Sequence, residues 1–449
     1  MKMRAIYYIF GIVFTLNLII LKFINGIEQL DCERVKYNRE EVKSKSKVVN
    51  KIIDYVLENE TGVTYNELAK LIDKFGPRFS GTNELEASID YIVQQLAEKG
   101  FDVHTEDVEV KHWIRGNETA EIIFPRRQKI NILGLGFSIG TNGNTLSSEV
   151  LVLRKLEEFE QRSNEILGKI VVFNYATRPS LSEVTNKVSE HGAKAVLVKS
   201  IAGFSLYIPH TGVLFYDSRV QKIPAACITM EDAELIDSMS QRGKLIIAIS
   251  TTSRMDPMPK ISRIIIVNHK GNQNPNEMVI ISGHIDSWDV GQGAMDNGGG
   301  SFVTLRGLKI LKKLGIKMKR ILRVVLFIAE EIGLVGAKNY AERHKDEKKN
   351  IYVAMESDFD TFRPLGLVVT SKQPKTKCIM KEALKLFESI NATEYTEKRL
   401  GSTDVDVFIP YNISIIELRN ANEIYFYYHH SSADTMAIED LRSLTSVLL

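Results

Sequence analysis

Cysteine is nearly absent: only Cys32, Cys227 and Cys378 occur in 449 residues. They form no C-x-x-C pair, so a thiolate metal cluster is excluded and at most one disulfide can close within the chain. A fold of this length therefore rests on its core, and Cys227, inside the apolar run Pro224 to Ile228, reads as buried filler. Excess charge of either sign is missing too. Lys plus Arg number 58 and Asp plus Glu 56, a net charge of +2, which names no partner and gives no reason to expect nucleic acid.

Long apolar runs are confined to the N-terminus. Lys2 and Arg4 precede an uncharged run from Ala5 to Leu21, and Lys22 and small or polar residues around Asn25 and Gly26 follow. That is a secretory signal pattern. As a helix the run would be about 25 Å long, short of a roughly 30 Å hydrocarbon core. A cleaved signal peptide over residues 1–26 is expected rather than a stable membrane span, with the protein secreted or lysosomal. Sequons at Asn59, Asn117, Asn391 and Asn412 fit that route.

What remains is ordinary globular composition, 44% hydrophobic and 25% charged, with room for two domains. Residues 27–45 read as a propeptide or flexible lead-in, because Glu33 to Lys47 offers little to bury. Leu85, Ile89, Ile92 and Leu96 then share one helix face, which Gly100 ends. Gly76 to Thr82 is turn-rich, and for Arg78 two readings stay open, a place near the functional cleft and a neutral surface turn. Residues 121–256 change to short β-rich runs (149–153, 169–173, 195–198, 244–249) around a helical segment near 181–191, with no clustered ligands. Pro257 and Pro259 mark the return. A helix over 375–390 is expected to bury Ile379, Ala383, Leu386 and Ile390.

The chemistry collects at the ends of apolar runs. Met278 to Ile281 leads into His284, Asp286, Asp289 and Asp296 within a glycine-rich loop. Arg320 to Ala329 ends in the adjacent acids Glu330 and Glu331. Ile351 to Met355 leads into Glu356 and Asp358, and Ile424 to Tyr428 into His429, His430 and Asp434. Four strand-like runs thus each deliver an acid or imidazole at the same end, where open α/β sheets place their chemistry. Asp289, Glu356 and Asp404 read more simply as solvated loop acids.

The strings SGHIDSWDVGQGAMDNGGG, FIAEEIGLVGA, MESDFDTF and YFYYHHSSADTM, in that order, resemble the co-catalytic zinc peptidases of the aminopeptidase and glutamate carboxypeptidase family. The resemblance spans roughly residues 45–445. It implies an α/β fold: a zinc-exopeptidase-like mixed sheet flanked by helices (46–120 and 257–449), with residues 121–256 as an inserted β-rich protease-associated domain. It further implies two Zn²⁺ per chain, His284 and Asp358 on one, Glu331 and His430 on the other, and Asp296 bridging. Glu330 would be the general base of a hydroxide shared between the metals, and Asp286 would orient His284. His430 is taken as the ligand because Ser431, Ser432, Ala433, Asp434 and Thr435 follow it in the family's pattern; His429 would then point the other way.

The implied activity is hydrolysis of dipeptides or short peptides from a chain end, with the terminus left open and a homodimer allowed. The family's last helix generally runs past the equivalent of Leu449, which leaves two readings, a truncated sequence or a sheet closed differently, either of which would weaken stability or dimer formation. Two alternatives share the scaffold: a binding protein that has lost its ligands, and a single-zinc glutaminyl cyclase-like acyl transferase. All five ligand positions and the base are filled, which argues against the first.

Overall fold

A computed structural model describes residues 32–448 apart from 176–179, 204 and 360–361; the expected signal segment lies outside them. Among the described residues no helix is long and apolar enough to cross a membrane.

The larger of two layers is an eight-stranded mixed sheet. Its strands are β1 (Asp102–Val110), β2 (Lys260–His269), β3 (Asn274–His284), β4 (Arg320–Phe327), β5 (Ile351–Glu356), β6 (Pro364–Thr370), β7 (Glu394–Thr396) and β8 (Ser414–Asn420). The spatial order is β1-β2-β4-β3-β5-β8-β6-β7. The middle four, β4-β3-β5-β8, are all parallel, and the outer pairs β1–β2, β2–β4 and β6–β8 are antiparallel. Central parallel strands are covered on both faces, so they need continuous apolar runs. Val324 to Phe327 accordingly have no exposed surface. The helices Gly300–Lys313 and Val335–Arg343 make the crossovers from β3 to β4 and from β4 to β5. Helix Asn83–Glu98 is capped by Thr82, whose hydroxyl accepts from Leu85 N, and its Leu85, Ile89, Ile92 and Leu96 are buried as their spacing requires.

The chain leaves this sheet at Val110 and returns at Lys260. Trp113–Ile114 pairs with Arg254–Met255 as a neck, and beyond it a second eight-stranded sheet forms. All four strands expected there exist. Ala225–Ile228 is a fourth member of its parallel core, so Cys227, buried and outside any disulfide, is a strand residue. The part is also more helical than expected. Besides Leu181–Glu190 it carries Met230–Ser240, whose buried face includes Asp232 and Asp237. Asp232 accepts from Asn131 N at 2.9 Å, and Asp237 is paired with Arg154 and Asn174. Acids at buried positions hide such a helix from hydrophobic periodicity.

Two further expectations need correction. Residues 375–390 fold as helix Pro374–Leu384 and a tighter turn Lys385–Ile390. The buried residues are Cys378, Glu382 and Leu384, while Ile379, Ala383, Leu386 and Ile390 are only half-buried. Cys378 and Glu382, one turn apart, face the lead-in: Cys378 is disulfide-bonded to Cys32, and Glu382 lies between Lys385 and Arg39. The lead-in itself buries nothing in its helix Arg39–Lys43, as expected, yet it is covalently fastened rather than flexible.

Candidate metal centre

The carboxyl ends of the four parallel strands form one rim. His284 is the last residue of β3; after β4, Ala329 takes a left-handed conformation (φ 58°) that turns the chain before Glu330 and Glu331. Such a conformation at a non-glycine residue concentrates at functional sites. β5 delivers Glu356 and Asp358, and the loop after β8 delivers His429 and His430, the latter also at positive φ (57°).

Asp296 stands at the middle, with its two oxygens facing different partners. Oδ1 is 3.3 Å from His284 Nε2, which is 3.4 Å from Asp358 Oδ1. Oδ2 is 3.2 Å from His430 Nε2, which is 2.8 Å from Glu331 Oε2. The five residues expected to hold metal therefore meet in the expected two groups. Donor atoms of His284, Asp296 and Glu331 lie within 4.8 Å of one another, as do those of Asp296, His429 and His430. His284 Nε2, Asp296 Oδ2 and both Glu331 oxygens are buried without a hydrogen-bond partner. Orphaned buried donors and acceptors are costly, and imidazole with carboxylate suits zinc, so the residues fit the metal.

A supporting shell fixes this geometry. His284 Nδ1 lies 3.1 Å from the Asp286 carbonyl oxygen and 3.5 Å from its carboxylate; donation there leaves Nε2 as the lone pair facing Asp296. The Asp286 carboxylate accepts from Glu330 N and Ser80 Oγ, each at 3.3 Å, so it ties the Glu330 backbone to the loop that follows His284. Asp434 accepts from the successive amides of Ala294, Met295 and Asp296 at 3.0, 2.8 and 3.2 Å. Arg78 is fully buried. It donates to the carbonyls of Ile285, Gly293, Gln292 and Gly76 at 2.7, 2.7, 3.0 and 3.2 Å. It is the pin of the glycine-rich loop, not a surface turn. A side chain at Gly293, itself at φ 58°, would collide with Ser287.

Burial opposes charge throughout. It pushes Glu330 well above the ordinary glutamate range; His284 offsets part of this, while Asp358, Glu331 and Asp296 add to it. Burial and the Asp296 charge raise Glu331 to about 7. Burial works against the His430 cation, but Glu331 and Asp296 outweigh it and raise that imidazole to about 9.

Several smaller expectations change. His429 does not point away: its ring stacks on His430 with centroids 3.4 Å apart, and its Nε2 is 3.4 Å from Asp296 Oδ2. Glu356 and Asp404 are buried rather than solvated; Glu356 Oε2 accepts from Val405 N at 2.9 Å. Asp289 is gripped by Arg115 at 2.6 and 2.8 Å, which braces the metal loop against the second sheet. The inserted part also reaches the site. Thr211 N donates to the His430 carbonyl at 2.8 Å, and His210 bridges to Ser431. A cleft of about 630 Å³ lies between the two parts, with Leu181, Val213 and Phe215 on one side and Glu330, Glu331 and His430 on the other. No sequence signal marked Thr211 or Phe215, since nothing clusters around them locally.

The profile of Peptidase family M28 matches residues 265–448. Carboxypeptidase Q of Homo sapiens is 39% identical over 450 aligned residues, covering 98% of this chain and 94% of that protein. The crystal structure of a peptidase M28 precursor from Shewanella amazonensis SB2B superposes with a TM-score of 0.85 at 28% identity, covering 91% of this chain and 95% of that one. An aminopeptidase from Aneurinibacillus sp. strain AM-1 shares the fold, with a TM-score of 0.66 at 22% identity over 88% and 93% of the two chains.

Proposed function

The chain belongs to peptidase family M28 and is a zinc-dependent exopeptidase, and from that premise we propose that it works with two zinc ions on dipeptides or short peptides. The observation that carries this reading is the division of Asp296, one oxygen toward His284 and the other toward His430. His284 and Asp358 would hold one ion, Glu331 and His430 the other, and Asp296 both. When bound, zinc supplies Lewis-acid polarisation of the scissile carbonyl and brings the pKa of water towards about 7.

The chain's own part is proton handling and positioning. Glu330, on the cleft wall beside Glu331, takes the proton of the attacking water on its carboxylate and returns it to the leaving amine. Its burial and acidic neighbours favour keeping the proton between those two events. Asp286 holds His284 in the required tautomer. Val213, Phe215 and Leu181 offer apolar surface to a substrate side chain, which makes the inserted part a wall of the cleft and a guide for substrate.

Lys338 is the only lysine or arginine among the described lining residues. Its Nζ donates to the Gly333 carbonyl at 2.8 Å, and the Gly333 amide in turn donates to the Glu330 carbonyl. That places a positive charge on the turn next to the base, suited to a free terminal carboxylate. Passage through the secretory route is supported by the disulfide and by the exposure of all four sequon asparagines.

The test is zinc content per chain, with hydrolysis of free and end-blocked dipeptides before and after chelation. Two zincs and chelator-sensitive cleavage are expected. One zinc with cyclisation of N-terminal glutamine would transfer the chain to the acyl-transferase reading, and no zinc with no turnover to the binding-protein reading.

A further inference from the structure

The net charge of the whole chain conceals a strongly one-sided segment. Residues 309–320, KILKKLGIKMKR, carry six cations and no acid. They span the end of helix Gly300–Lys313, a turn at Gly315 (φ 65°) and the first residue of β4. This is the amino end of the parallel strands, opposite to the rim that carries the metal ligands.

A groove of about 680 Å³ opens there, with this segment as one wall and the start of helix Ser46–Asn59 as the other. Lys317 and Lys319 face it from the first wall, and Lys45 and Lys51 from the second; all four are exposed. Lys319 is balanced by Glu41 at 2.8 Å. Lys45, Lys51 and Lys317 form no ion pair among the described residues, and Lys51 spends one donor on the Leu314 carbonyl at 3.4 Å. Like charges on facing walls repel, and Glu41 is the one acid lining the groove to offset them.

We propose that this groove binds a sulfated polysaccharide. A bilayer would meet a concave, lysine-lined surface with no aromatic residue in its lining to anchor it. Single-stranded nucleic acid would need aromatic platforms along the groove, and the exposed ring of Tyr352 lies outside its lining, with Arg320 stacked 4.0 Å from its centroid. A flexible, repeatedly sulfated chain needs only point cations spaced along a groove, which lysine provides. The site is separate from the catalytic cleft, so binding would localise the enzyme without blocking turnover.

The experiment uses the full zinc-loaded chain and compares Lys45→Glu/Lys317→Glu with the parent. Heparin affinity is measured from about 50 to 300 mM NaCl, with desulfated heparin, phosphatidylserine vesicles and oligo-dT as the other probes. The parent is expected to bind heparin with a steep salt dependence, and the double variant to lose about 1.5 from the log–log slope, at unchanged dipeptidase activity and melting temperature. Equal affinity of the variant, equal binding of desulfated heparin, absence of heparin binding by the parent, or tighter binding to vesicles or oligo-dT would each overturn the proposal.

Discussion

In the proposed mechanism Glu330 and Glu331, neighbours in sequence, have separate tasks, and substitution separates them. Glu330→Gln keeps the shape of the cleft but cannot accept a proton. Zinc content is expected to stay at the parent's level while kcat falls by roughly 10² or more, and unchanged turnover would remove Glu330 from the base role. The two histidines divide in the same manner. Only His430 reaches both Asp296 and Glu331, so His430→Ala should lose a zinc. His429→Ala should retain both, since its 3.4 Å contact with Asp296 is longer than either contact of His430; metal analysis by mass spectrometry decides. At this scale the sequence was readable for the residues that follow β3, β4 and β5, because local pattern fixes strand ends; the run before His429 and His430, expected as a strand, is the helical turn Tyr425–Tyr428. The sequence was silent on burial created by distant chain: Glu356 and Asp404 looked like loop acids, and only the packing of the segment after Thr403 against the end of β5 closes water out.

Among the elements, the glycine-rich loop after β3 depends on partners far from it in sequence. Arg78 holds four of its surrounding carbonyls with a planar, forked cation. Arg78→Lys preserves the charge but leaves several of those carbonyls unpaired. A loss of stability on the order of 3 kcal/mol is expected, read as a lowered melting temperature together with weaker zinc retention. A neutral result would return Arg78 to the role of an ordinary turn residue. Helices were legible where burial alone sets their face, as in Asn83–Glu98. They were misread where a covalent bond or a buried acid sets it, as in Pro374–Leu384 with Cys378 and Glu382, and in Met230–Ser240 with Asp232 and Asp237.

For the whole molecule, the relevant fact is that the cleft has walls from both sheets. Phe215→Ala removes apolar surface about the substrate without touching the metal ligands, so KM for dipeptides with large apolar side chains should rise severalfold while zinc content holds. Lys338→Met should raise KM roughly fivefold to tenfold for substrates with a free carboxylate and leave amidated ones unchanged. Equal effects on both would remove Lys338 from terminus recognition. That the second sheet exists was visible in the alternation of short apolar runs. That it forms half of the cleft was not, since Thr211, Val213 and Phe215 meet the catalytic side only through the fold.

The bond between Cys32 and Cys378 spans 346 residues, and everything from the lead-in through the second sheet to β6 lies inside the ring it closes. A single proteolytic cut anywhere in that ring therefore releases no fragment. A preparation clipped once in the exposed lead-in after Cys32 would gain only the mass of one water and keep its migration on a non-reducing gel, and the gel would show the cut only when a reductant was added.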